Sequence, residues 1–211
     1  MTPKSKSYEN TANTVIKKLN QRGMEGFYCK DKESAKAMIM EMLEEGSAVT
    51  WGGSESLVET GVIDAIVSGN YQVLDRKSAK TPEEDRVLFG QIMGADYFLM
   101  STNAFTLDGE LINIDGNGNR VACLINGPKH VIIVAGMNKL VSDVEEGIKR
   151  IHTIAAPPNA VRIGAGTPCE KTGVCSKCIG NVSMCCHTVV TRSSRHKGRI
   201  KVILVGEELG F

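Results

Sequence analysis

The chain has 211 residues, 42% hydrophobic and 23% charged, with 25 Lys and Arg against 24 Asp and Glu. It is long enough to bury a substantial core, and a net charge of +1 gives no global attraction to nucleic acid or acidic lipid. The longest apolar run, Val131 to Gly136, falls far short of the ~20 residues a membrane helix needs. The polar start, Met1 to Glu9, lacks the apolar core of a secretory signal, so a cytoplasmic protein is expected.

Residues 5–22 read as a mostly polar helix with a thin stripe of Val15, Ile16 and Leu19, ended by Gly23. Phe27 to Cys29 reads as a short strand. A helix over 32–45 comes next, with Ala35, Met38, Ile39 and Met42 on its buried face. Ala48 to Trp51 is a buried strand running into Gly52-Gly53-Ser54. The next helix carries Leu57, Val58, Val62, Ile63, Ile66 and Val67, interrupted by Gly61. After a strand at 73–75, Thr81-Pro82-Glu83-Glu84 has the chemistry of a helix start: a capping hydroxyl, a proline that needs no N–H, then acids at the positive end of the dipole.

Tyr97 to Met100 is another apolar strand. From Ser101 to Asn126 the turn dipeptides Asp108-Gly109 and Gly116-Asn117-Gly118-Asn119 predict hairpins. Val131 to Val134 is a buried strand, and a helix with Leu140, Val144, Ile148 and Ile151 on one side comes after it. Pro157-Pro158 should break or kink the chain. Ile200 to Val205 is a last strand. Strands alternating with helices predict an α/β fold, a mostly parallel sheet covered on both faces with an antiparallel addition.

Seven cysteines, five of them between Cys169 and Cys186, point to metal or redox chemistry in a reducing compartment. Cys29 and Cys123, isolated in apolar surroundings, read as small buried hydrophobes. Cys175-x2-Cys178 sets two thiolates on one knuckle, and Cys169 and Cys185 flank it at distances that allow folding back. Four thiolates satisfy tetrahedral Zn²⁺ or a [4Fe–4S] cluster. Gly173 and Gly180 let the backbone bend around such a site. Cys186 and His187 are spares, and either could replace Cys185.

Gly52-Gly53-Ser54, after a strand and before a helix, permits close backbone approach to an anionic ligand; Ser54 equally suits a simple N-cap. Ser101-Thr102-Asn103 should lie at the same carboxyl edge of the sheet, with Asn103 either touching substrate or forming an Asx turn. Asp115 to Arg120 supplies carboxylate, amide (Asn119) and guanidinium in one tight loop, either as pocket lining or as a hairpin turn. Glu59 is the nearest acid–base candidate to the glycine turn and Glu110 a second; each reads equally as a solvated surface glutamate. Arg192, Arg195, His196, Lys197 and Arg199 form a basic run, either a solvated loop or a docking or anion site.

Three blocks carry a family likeness: Trp51-Gly52-Gly53-Ser54 with Leu57 and Gly61; Thr106 to Leu111 running into Asp115-Gly116-x-Gly118-Asn119-Arg120-Val121; and Gly127-Pro128-Lys129 ahead of Val131 to Gly136, Asn138 and Lys139. In order and spacing they resemble the LUD domain of the lactate utilisation proteins B and C, over about residues 10–155 and again at 199–210. The resemblance implies a Rossmann-like three-layer sandwich related to the sugar-phosphate isomerases, CoA transferases and formyltetrahydrofolate cyclo-ligases. It also implies a link to lactate oxidation beside iron–sulfur partners. The cysteine tail departs from the simplest protein C pattern, so the resemblance does not by itself imply membership of the lactate pathway. The tail itself, Pro-Cys followed by Thr-Gly-x-Cys-x-x-Cys, is similar to one in a subset of the family, which matches Cys169, Cys175, Cys178 and Cys185 as ligands.

The expected organisation is therefore an α/β domain over 1–160, a cysteine-rich segment over 161–198 and a completing strand over 199–211. The expected function is a redox-associated protein of organic-acid metabolism. It would bind a small anionic ligand at Gly52, Gly53, Ser54, Thr102, Asn103, Asn119 and Arg120, with [4Fe–4S] as cofactor and zinc as the alternative. Partners would be an iron–sulfur or flavin redox protein and, as a further option, a second copy of the chain; nucleic acid and membrane are not expected. The competing readings are a non-redox acyl- or phosphate-handling enzyme with structural zinc, using Glu59, and a non-catalytic assembly subunit. No P-loop, G-x-S-x-G elbow or H-E-x-x-H helix occurs, which excludes those enzyme classes.

Overall fold

A computed structural model describes residues 2–211. In chain order the elements are α1 (Pro3–Gln21), β1 (Glu25–Cys29), α2 (Lys32–Met42), β2 (Ala48–Trp51), α3 (Glu55–Thr60), α4 (Val62–Ser68), β3 (Gln72–Val73), α5 (Pro82–Met93) and β4 (Tyr97–Met100). Then come β5 (Ala104–Thr106), β6 (Leu111–Asp115), α6 (Asn119–Asn126), β7 (His130–Gly136), β8 (Leu140–Val141), α7 (Val144–Arg150), α8 (Ala156–Ile163), α9 (Pro168–Thr172), β9 (His187–Thr191) and β10 (Ile200–Val205).

Six strands form one sheet in the order β1-β10-β7-β4-β2-β3, with every pairing parallel. The central strand β7 shows how the sequence builds it. Val131, Ile133 and Ala135 face one side, against Ala12, Val15 and Leu19 of α1, Ile92 of α5 and Leu124 of α6. Ile132 and Val134 face the other, against Ala35 and Ile39 of α2, Leu57 of α3 and Val62 and Ile66 of α4. A strand buried on both faces is apolar throughout, because each successive side chain enters a different core. The result is the three-layer α/β sandwich that the alternation of elements predicts. Among the described residues, no helix is long and apolar enough to cross a membrane.

A second sheet, β8-β5-β6-β9, stands beyond the carboxyl ends of the first, over a third core that includes Ala104, Ile112, Val141, Ile151 and Ala155. Of the two hairpins expected in this region, the one at Asp108-Gly109 is present, Gly109 taking φ +81° between antiparallel β5 and β6. Three other expectations are corrected. Gly116 to Asn119 closes no hairpin: Gly118 at φ +79° turns the chain into α6, whose Val121 and Leu124 are buried. Turn chemistry bends the chain, but the apolar spacing beyond the turn selects the next element. Leu140 and Val141 belong to β8, pairing with β5, and the helix after them begins only at Val144. Third, Pro157 and Pro158 break nothing. The chain runs continuously from α7 through a π-helical turn, Ile151–Ala155, into α8, and the prolines fall in the first turn of α8. A widened turn just before them absorbs the hydrogen bonds that proline cannot make.

Candidate functional site

The strands of the parallel sheet end along one edge, and the segments leaving them enclose a cavity of about 630 Å³. That edge is where open α/β sheets bind ligands. The chain after β2 supplies Gly53, Ser54 and Ser56; the chain after β4 supplies Ser101 to Asn103; the turn after β7 supplies Lys139. The start of α6 adds Asn119 and Arg120, and α8 adds Arg162. The cysteine tail closes the remaining side with Ser183, Met184, Cys185 and Cys186.

The residues singled out from sequence do not all serve alike. Ser54 lines the cavity and also caps α3, accepting from the Leu57 N–H at 3.3 Å. Gly53 lines the cavity, whereas Gly52 lies behind it: its N–H donates to Leu99 O at 2.9 Å, and a Cβ there would stand 3.4 Å from the Arg120 side chain. Thr102 is buried with its hydroxyl on the carbonyls of Ala104 (2.9 Å) and Ile112 (3.1 Å). Asn103 Oδ1 accepts from the Ile114 N–H at 3.0 Å and from Arg120 at 2.9 Å, leaving only its amide nitrogen for a ligand.

Arg120 is a frame rather than a free fork. It donates to Asn113 Oδ1, Asn103 Oδ1, Ser101 O and Ile114 O, and its Nε lies 3.3 Å from Asp115 Oδ2. All five guanidinium donors are thus engaged. Burial pulls its pKa below the ordinary arginine value, and Asp115 pulls back. Glu59 sits apart, in a shallower depression with Lys32 and Glu208, accepting from the Gly210 N–H at 2.9 Å. Glu110 lies outside the cavity, 3.7 Å from both Arg22 and Arg192. Arg199 of the basic run binds the carbonyls of Cys123 (2.9 Å) and Leu124 (2.7 Å), capping the C-terminus of α6.

Lys139 is the residue the sequence reading passed over except as part of a motif. It is 4% exposed yet lines the cavity. Its Nζ donates to Ser56 Oγ at 2.8 Å and Ser101 Oγ at 3.0 Å. Burial first, then the Arg150 charge, brings its pKa from 10.5 to about 7; Glu59 opposes that shift and Arg120 adds to it. The sequence signal was present: a single cation between the apolar runs 131–137 and 140–141. Among the lining residues Arg120 pairs with Asp115, and Arg162 with Glu55 at 3.4 Å. Lys139 has no carboxylate partner among the described residues, and Arg76 turns to Asp85, outside the lining, at 3.5 Å, so the lining carries surplus positive charge.

The tail brings its thiols together. Thr167-Pro168 starts α9 and Gly173 at φ +71° ends it after five residues, which tucks Cys169 inside at 7% exposure. Between Cys175 and Cys178, Lys177 takes φ 53°, the one non-glycine residue in the left-handed region among those described. Its N–H points to Cys175 Sγ at 3.5 Å, and His152 Nδ1 of the π-helical turn lies 3.7 Å from the same sulfur. Backbone N–H groups and rings directed at thiolate sulfur are what support metal-bound cysteine. Burial pushes the Cys185 thiol up to about 11, and the thiols of Cys175, Cys169, Cys178 and Cys186 push the same way by proximity. His187, the other spare, opens β9 and faces Gly118 instead. Among the described residues, no three His, Cys, Asp or Glu groups are drawn together tightly enough to hold a single ion.

The architecture has a counterpart among solved structures. A crystal structure of a DUF162 family protein from Deinococcus radiodurans is similar over 94% of this chain and 98% of its own, at 14% identity and a TM-score of 0.57. Ribose 5-phosphate isomerase A from Neisseria gonorrhoeae aligns over 54% of each chain at 16% identity, with a TM-score of 0.36. No curated protein matches by sequence. The family profile described as the LUD domain covers residues 12–205, from the middle of α1 to the last residue of β10, so the chain belongs to the LUD domain family.

Proposed function

We propose that this LUD-domain chain is a redox-associated protein of organic-acid metabolism. It seats a small organic anion in the cavity and a [4Fe–4S] cluster on the cysteine tail. One observation carries the reading: Cys185 and Cys186 form part of the same cavity wall as Ser54, Ser101 and Lys139. Cys169, Cys175, Cys178 and Cys185 would hold the cluster. Bound there, it would supply one-electron transfer beside the ligand. The chain's own residues do the remaining work. The surplus positive lining, Arg76 included, attracts the anion, the Arg120 framework fixes the floor, and the tail from Ser183 to Cys186 limits entry of water.

A lactate-like 2-hydroxy acid is the ligand class that suits a LUD protein with these features. The cavity volume exceeds what a three-carbon acid fills, so longer acids belong in the same test. A cluster is preferred to zinc in this reading because it can pass an electron, whereas zinc has no redox chemistry. Electrons leaving the tail require a flavin or iron–sulfur partner.

The test is metal analysis with a UV–visible spectrum on protein purified without oxygen, then titration with 2-hydroxy acids, 2-oxo acids, CoA and nucleotides. Several irons per chain, a broad visible band and saturable binding of an organic acid are expected. One zinc and no colour would instead make the tail a structural staple and remove the redox reading.

A further inference from the structure

Lys139 is held in a way that suits an amine better than an ammonium. Ser56 Oγ and Ser101 Oγ each accept one N–H from Nζ. The hydroxyls spend their own protons elsewhere, Ser56 on Leu209 O at 3.1 Å and Ser101 on Thr102 O at 3.2 Å. Both serines can therefore only accept from the lysine. A neutral amine has two N–H groups and one lone pair. With both N–H groups engaged, the lone pair is left over, beside a cavity. An ammonium in the same place would carry a third N–H with no protein partner among the described residues.

From this geometry we propose that Lys139 is a nucleophile that condenses with the ketone of a 2-oxo acid in the cavity, forming a Schiff base. The Nζ lone pair attacks the carbonyl carbon and a C–N bond forms. The carbonyl oxygen takes the two protons given up by nitrogen and leaves as water, so no oxidant or reductant is needed. Two features set the substrate class. The amine selects a carbonyl, and Arg76, whose Nε is buried without a partner in the same lining, selects a carboxylate beside it. Desolvation and a neighbouring cation are the means by which lysine amines become nucleophiles near neutral pH, and burial with Arg150 supplies both here. The inference rests on the reading that the cavity takes a small organic anion; it adds that the 2-oxo acid, the oxidation product of a 2-hydroxy acid, is captured covalently.

The experiment treats the full chain, purified without oxygen, with pyruvate, 2-oxobutyrate or 2-oxoglutarate and then borohydride, with intact-mass and peptide analysis as the readout. The expected result is one reduced adduct, mapped to the peptide carrying Lys139. It should be absent with lactate, which has no carbonyl, and absent in Lys139→Arg. Mapping on the unaltered chain makes the result independent of how well the variant folds. Binding of a 2-oxo acid by calorimetry without an adduct on Lys139 would overturn the Schiff base and leave the anion site standing. Adducts spread over surface lysines, equal in Lys139→Arg, would also overturn it. If no 2-oxo or 2-hydroxy acid binds, the proposed function falls with it.

Discussion

Two basic side chains of the cavity lining, Lys139 and Arg120, look alike in sequence and differ in what surrounds them. Arg120 is satisfied on all five donors, so its removal would strand Asp115, Asn103 and Asn113. Arg120→Met should cost about 3–5 kcal/mol, the range for breaking a buried charged network, and denaturant unfolding measures it. Lys139 is the reverse case. Its folded pKa lies near 7 and its ordinary value at 10.5, so between those limits the unfolded chain binds more protons and stability rises with pH. Below pH 7 the folded protein must bury an ammonium. Lys139→Met should therefore be more stable than the parent at pH 6, by up to a few kcal/mol, with the advantage shrinking toward pH 10. Paired urea titrations across that range check it, because the thiols and other groups titrate alike in both chains. The charged groups acting on Lys139 are Arg150, Glu59 and Arg120. Glu59→Gln should leave ligand binding intact and move the Lys139-dependent profile to lower pH, since Glu59 holds that pKa up.

At the level of elements, the cysteine knuckle stores a local cost. Lys177 occupies a backbone region that disfavours any side chain, at roughly 1 kcal/mol or more. Lys177→Gly should keep or raise thermal stability and preserve metal content, whereas Lys177→Val, branched at Cβ, should lower both; differential scanning fluorimetry with metal analysis separates them. The knuckle was legible in the sequence because two cysteines at that spacing define it. The path around Gly116 to Asn119 was not. Both a hairpin and a helix start accept those residues, and the decision came from the burial of Val121, Cys123 and Leu124 against the sheet.

Across the whole molecule, the decisive contact is between the tail and the second sheet. β9 pairs antiparallel with β6 in a register that sets Asp115 opposite His187 and Ile112 opposite Val190. This pairing fixes the chain just after Cys185 and Cys186 and so places them on the cavity wall. Val190 and Cys185 both pack on the third core. Val190→Asp, which alters no thiol, should therefore release the tail and lower metal content together with ligand affinity. Unchanged metal content in a folded Val190→Asp protein would show that the thiols assemble without β9.

The sequence by itself determined the layered α/β plan and the family, and it singled out four cysteines as candidate ligands, because apolar periodicity, glycine-bearing motifs and thiol spacing are local properties of the chain. Only the tertiary structure decided which polar groups are free to act. Arg120 and Thr102 are consumed by partners on β5, β6 and the turn after β4, Glu59 faces a different depression, and Lys139 is left with Ser56 from the first turn of α3 and Ser101 from the end of β4. The physical reason is that a side chain's chemistry depends on its burial and on which donors and acceptors remain unspent, and both are settled only when the segments pack.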